Sequence, residues 1–408
     1  MPRLNVIAWA AAIAAVAAVC FWPDEGKDRA QRLPDGTIVR LASLSYGKTH
    51  RCVTGNIFQR LFGGFLPAPA AGWIGAKIHS VSNATDRLVI FFDLTQQRNA
   101  RAPGGGYTAT PLIVSDDAGN EFIENGENAY RSQSSNELVM AFDIPLAGHL
   151  SKKLHLQLKP HDYVKNVYCQ ADFNALNPGP RSLSHWQGEK LPVTRQRDDF
   201  PVTLRAMESS AEALGPSEEG RRSHHWTRFR YQLPPGAPWR VEALKVGDET
   251  GEFYGASQQL EPSDSEQDLN ALFSSQEPWK VRLELERTAD FASNEVWTSP
   301  PVAFPKTPRR FAEPLTTDLN GFHVVIDRLN RAALCLTISP SPAARGYDWT
   351  FKAGDAKFDS IGGGDYGYQI VYSYTFAQPN ERDSVQLTLS IAKTRSMDFI
   401  VSPTPLPP

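Results

Sequence analysis

Three stretches of the chain alternate apolar and polar residues with a period of two. They are Leu154, Leu156 and Leu158 in KLHLQLK, Val281, Leu283 and Leu285 in KVRLELE, and Val385, Leu387, Leu389 and Ile391 in SVQLTLSI. Alternation places every second side chain on one face, so each stretch predicts a half-buried β-strand. The three runs have company. Val39 and Leu41 follow DGTI, Val202 and Leu204 follow FP, and Val324 and Ile326 follow GFH. After the second and third runs come RTADFASNEVWTSP and KTRSMDFIVSP, each with a basic residue and Thr, then an apolar strand ending at Ser-Pro. The recurrence predicts three units.

A second repeat supports this. VSDDAGNEF (114 to 122) returns as VGDETGEFY (246 to 254). In each, Leu-x-Val leads into Asp116 or Asp248, Gly119 or Gly251 follows three residues on, and an acidic residue precedes Phe122 or Phe253. Asp caps the amides of a turn and Gly supplies its positive φ, so the string predicts strand, turn and strand. Matching Phe122 to Phe253 shifts the register after the glycine by one residue, which the sequence does not explain.

Residues 174 to 192 and 299 to 318 are rich in Pro and polar residues and read as linkers. The expected division is an N-terminal segment 1–23 and modules at 33–173, 191–304 and 315–403. Helical patterns are confined to VTGNIFQRLFGG (53 to 64), AMESSAEAL (206 to 214) and QDLNALF (267 to 273). Short strands with Gly and Pro turns predict an all-β chain of tandem immunoglobulin-like β-sandwich modules, the first enlarged by insertions. In DYGYQIVYSYTF, Tyr366, Tyr368, Ile370, Tyr372, Tyr374 and Phe376 share one strand face. Such a stripe is either the inward face of a core strand or an exposed platform for stacking sugars.

Val6 to Trp22 form an uncharged run of 17 residues, preceded by Arg3 and followed by Asp24 and Glu25. These flanks predict an export signal with the bulk of the chain outside the cytoplasm, either as an uncleaved single-pass anchor or as a signal peptide cut near Ala15 to Ala18. Cys20 raises lipidation, although Val19 before it is larger than usual. Charged residues make up 21% of the chain, are mixed in sign and sum to a formal charge of -3. No basic stripe suggests nucleic acid.

Cys52 and Cys169 bracket the first module and are the pair that an oxidising compartment would join; the alternative is that they and Cys335 are small buried side chains. His149, His155 and His161 recur every six residues, but His155 points outward between two leucines. His224 and His225 would face opposite sides of a strand. Asp116, Asp117, Asn120 and Glu121 read as turn residues sooner than as a calcium loop. GGG at 104 to 106 and 362 to 364 lacks the Lys-Ser or Lys-Thr of a phosphate cradle. No catalytic, cofactor-binding or metal-ligating residue is therefore assigned, and no cofactor is implied.

The opening LPDGTIVRLASLSYGKTHR, with the segment after it and the N-terminal run, resembles a group of uncharacterised exported bacterial proteins sharing Val-x-Leu and Tyr-Gly-x-x-His. The Asp-x-x-Gly hairpin is similar to those of small immunoglobulin-like domains on bacterial surfaces. The resemblance lies mainly in residues 1–125 and implies no assigned activity. The sequence thus predicts a noncatalytic, membrane-tethered extracytoplasmic protein that binds or spaces a polymer or protein of the cell envelope. The competing expectation is an extracytoplasmic hydrolase acting on a cell-envelope polymer, marked by an acidic pair facing a cleft.

Overall fold

A computed structural model describes residues 30–34, 36–55, 59–60, 70, 73–95, 111–124, 130–133, 137–144, 146–162, 167–179, 185–197, 200–210, 226–249, 251–255, 265–305, 310–377 and 383–405. The run Val6 to Trp22, His224 and His225, and GGG at 104 to 106 lie outside them. The described chain is all-β, built from several antiparallel sheets and two short 3-10 turns.

The first strands are β1 (Ala30–Arg32), β2 (Ile38–Thr54), β3 (Lys77–Thr95), β4 (Leu112–Asp116), β5 (Glu121–Glu124), β6 (Tyr130–Gln133), β7 (Glu137–Ile144), β8 (Lys153–Leu158), β9 (His161–Asp162), β10 (Val167–Tyr168) and β11 (Ala171–Leu176). One sheet runs β1-β2-β3-β7-β6 and a second contains β11-β8-β4-β5. They face each other across Leu88, Ile90 and Phe92 on one side and Val114, Leu156 and Phe173 on the other, with Phe92 and Phe173 ring centroids 5.5 Å apart. The β2–β3 hairpin is bulged near Gly47, and its far end buries Cys52 with Val89, Phe91, Val139 and Ala141. Cys169 packs against the main core instead, and no disulfide joins the two.

Next come β12 (Val193–Arg197), β13 (Phe200–Ser210), β14 (Trp226–Gln232), β15 (Trp239–Gly247), β16 (Phe253–Gly255), β17 (Glu266–Leu269), β18 (Ala271–Leu272) and β19 (Trp279–Arg287). Here β12-β13-β14-β17 repeats the order of the first sheet, and β16-β15-β19 repeats that of the second. The Asp-x-x-Gly turns are the same in both copies. Gly119 and Gly251 each have φ +86, and each donates its N–H to the carbonyl of Asp116 or Asp248 at 3.2 Å. Pairing then sets Val114 opposite Phe122 and Val246 opposite Tyr254. The partner of Phe122 is therefore Tyr254, not Phe253, and the one-residue shift disappears.

The two halves share one hydrophobic core, in which Phe122 and Tyr254 lie 5.4 Å apart. β18 leaves its own half to pair with β5, extending the first half's second sheet. Two helical expectations fail here: QDLNALF becomes β17 and β18 with a break at Asn270, and AMESS of AMESSAEAL is the end of β13. Cross-strand partners outweigh the intrinsic preference of such short segments. Most of 53 to 64 and 211 to 214 lies outside the described residues.

The last strands are β20 (Val296–Thr298), β21 (Val302–Ala303), β22 (Leu315–Leu319), β23 (Phe322–Asp327), β24 (Ala333–Ser339), β25 (Tyr347–Ala353), β26 (Phe358–Asp365), β27 (Ile370–Phe376), β28 (Ser384–Val385), β29 (Leu387–Lys393), β30 (Arg395–Val401) and β31 (Thr404–Pro405). The sheet β22-β23-β24-β27-β26 packs on β20-β29-β25 over a separate core. The tyrosine stripe divides. Ile370, Tyr374 and Phe376 are buried and Tyr372 rests on Trp349 at 5.2 Å, whereas Tyr366 and Tyr368 are 60% and 68% exposed at the β26–β27 turn. The second GGG lies in β26, at the sheet's edge. β30 does not join this sheet pair but runs antiparallel to β19, and β31 runs parallel to β13. Strand pairing thus groups 395–405 with the middle sheets, across the expected seam of module 315–403.

Candidate functional site

The sequence candidates are scattered. Asp116 is consumed by its turn: Oδ1 accepts the N–H groups of Ala118 and Asn120 at 2.9 Å, and Oδ2 accepts that of Ser151 at 2.6 Å. Asn120 carries the turn into the second half, its Oδ1 accepting the N–H of Ser274 at 2.8 Å. His149 is buried, with Nδ1 2.7 Å from a Glu277 carboxylate oxygen, Nε2 3.6 Å from Asp248 and its ring 4.7 Å from Trp279. It locks the two halves together. His155 is exposed, 3.3 Å from Asn174 Oδ1. His161 sits in β9. Among the described residues no group of three His, Cys, Asp or Glu is placed to hold a metal ion.

The structure brings some of these residues to one cleft of about 620 Å³ between β2 and the β4-β8-β11 sheet. Ser43, Asp117, Lys153, His155 and Asn174 supply polar groups along it, while Leu44, Ala175 and the exposed Leu176 supply apolar surface. Hydrogen-bond donors and acceptors beside apolar surface can hold a polar ligand.

A second cluster, which the sequence reading missed, lies where β3, β5 and β7 meet the turn before β16. Arg87 is its centre, 3.2 Å from Asp143 Oδ2 and 3.6 Å from Glu252 Oε1; the Thr85 hydroxyl donates to Glu252 at 3.3 Å. Burial and neighbouring Asp143 push the Glu124 carboxyl up to about 8, against the pull of Arg87. Burial likewise raises Asp143 and Glu252, Arg87 opposing it in both cases. His50, 1% exposed, bonds Ser45 through Nδ1 at 2.9 Å, while its Nε2 and Asp143 Oδ1 are buried with no hydrogen-bond partner.

One arginine cannot neutralise three carboxyls in a half-buried site, so Glu124 keeps its proton near neutral pH. The cluster stores a proton at the seam between the halves. Its sequence signal was a charge ending an apolar run, as in ELVMAFD for Asp143. Ser45, His50 and Asp143 do not form a relay, because the imidazole makes no hydrogen bond to the carboxylate.

Fold and sites together define an all-β protein of face-to-face antiparallel sheets, with a polar cleft and a half-buried acid cluster at a sheet seam. No family profile, curated protein sequence or solved structure matches the chain.

Proposed function

We propose that this is a noncatalytic, membrane-tethered extracytoplasmic protein whose modules bind and space a component of the cell envelope. The modules are read as immunoglobulin-like: the order β1-β2-β3-β7 recurs in β12-β13-β14-β17 and β22-β23-β24-β27, and each faces a second sheet ordered like β11-β8-β4, as in the two sheets of such sandwiches. The observation that carries the spacing reading is the sharing of strands. β18 completes a sheet of the first module, and β30 lies in a sheet of the second. Shared strands resist hinging, which a spacer requires. The cleft lined by Asp117, Lys153 and Asn174 supports the binding reading. In this reading the tether is the uncharged run Val6 to Trp22, which lies outside the described residues; among the described residues no helix is long and apolar enough to cross a membrane.

Two measurements test this. A reporter active only outside the cytoplasm, fused after Arg32, should be active; activity of cytoplasmic reporters alone contradicts the topology. Residues 30–405 should cosediment with isolated cell-wall polysaccharide, and Asp117→Ala with Asn174→Ala should weaken that severalfold. Equal sedimentation of parent and double variant removes the cleft from the account.

A further inference from the structure

In the first sheet pair the strand that closes the second sheet, β11, follows its partner β8 in the chain. The other two pairs break this rule in a matched way. β19 should be closed by the strand that follows it, β20, yet β20 pairs with β29, from Val296 opposite Ser390 to Thr298 opposite Thr388. β29 should be closed by β30, yet β30 pairs with β19, from Trp279 opposite Val401 to Leu285 opposite Arg395. All three pairings are antiparallel, so each closing strand fills the same place in its sheet as β11 does. These are also the strands that run into Ser-Pro in the two repeats, at Ser299 and Ser402.

We infer that the second and third modules have exchanged their closing strands within one chain, so that neither sheet pair is complete without the other, and that the free edge of β19 is a slot for a strand of the β30 type. The linkage favours the exchange. Only Thr394 separates β29 from β30, whereas the commonest tight hairpins use two loop residues, so with both strands at full length β30 runs on into the neighbouring sheet instead of folding back on β29. Thr394 is pinned at the crossing by its N–H and hydroxyl, both donated to the Gly346 carbonyl at 3.0 and 2.9 Å. On the other crossing, Glu295 accepts from Arg287 at 2.6 Å, holding the end of β19 against the start of β20.

The slot recognises its strand by three means. Main-chain pairing runs along β19; Met397, Phe399 and Val401 enter the shared core; and Arg282 holds Asp398 through two bonds of 2.8 Å. This is recognition by strand addition, with alternate side chains giving selectivity. Arg395 over the Trp239 ring at 4.3 Å anchors one end, and Glu189 donates its N–H to the Ile400 carbonyl at 2.7 Å on the outer edge.

The test uses the chain ending at Lys393 and a synthetic peptide of residues 394–408, read by hydrogen exchange. Without peptide, amides of β19 should lose protection while those of β23 and β24 keep theirs. Adding the peptide should restore β19 at one peptide per chain, and a peptide carrying Phe399→Asp should not. Loss of protection in β23 and β24 with β19 unchanged overturns the inference. A second measurement does not depend on the truncated chain folding. In the full chain, Glu284→Cys with Ser396→Cys, and separately Thr298→Cys with Thr388→Cys, should each form a disulfide within a monomer. Failure of either bond to form, or its appearance only between two chains, overturns the exchange.

Discussion

Glu124 shows how little a residue's sequence neighbours say about its charge. Nothing in EFIE marks its last carboxyl, yet the fold sets it in a half-buried cluster with Asp143 and Arg87. Its unfolded carboxyl loses its proton near 4.5, whereas the folded one holds it up to about 8. The folded state therefore binds more protons across that window, and stability falls as pH rises through it. Asp143 and Glu252 shift in the same direction and reinforce the slope. The urea midpoint of the parent should drop between pH 5 and pH 8, and Glu124→Gln should flatten much of that slope; an equal drop in both places the titrating group elsewhere. His149→Ala takes one partner from each of two buried carboxylates, Glu277 and Asp248, and should lower stability by about 3 kcal/mol in denaturant unfolding. Neither contact was legible in the sequence, since 128 residues separate His149 from Glu277. The turn role of Asp116 was legible, because a turn Asp bonds amides two and four residues away.

At the scale of elements, period-two alternation located β8, β19 and β29 because one face of each meets a core. The Asp-x-x-Gly hairpins were legible for the same local reason, while their register was not: it depends on which aromatic reaches the core. At φ +86 a side chain is strained, so Gly119→Ala and Gly251→Ala should each cost about 1 to 2 kcal/mol, measured by thermal melting. The tyrosine stripe separates two predictions. Tyr372→Ala removes a ring packed on Trp349 and Tyr374 and should cost about 2 to 3 kcal/mol, whereas Tyr366→Ala, at an exposed turn, should change the melting temperature little. Equal losses for both would mean that the turn is covered. The stripe's alternation gave its face correctly but not its length, since the strand begins only at Ile370. QDLNALF misled because its apolar spacing suits a helix, and only its partners, Thr227 for Leu269 and Phe122 for Ala271, decide otherwise.

For the whole molecule, Pro-rich segments proved poor guides to which strands belong together. Within 299 to 318, β21 and the start of β22 are themselves sheet strands; β20 and β21, on either side of Pro300, pair forward with β29 and β28, and β30 pairs back to β19. Composition marks where a chain can turn; it carries no information on which edge a strand closes. The all-β class was readable throughout, from alternation and turn residues, while the coupling between units rests on long-range pairings that leave no local trace. Calorimetry of residues 30–405 reads that coupling as the number of unfolding transitions. Because the first two sheet pairs share a core and the second and third share strands, one cooperative transition is expected, with calorimetric and van't Hoff enthalpies equal. Separate transitions, with the third sheet pair melting independently of the middle one, would contradict it.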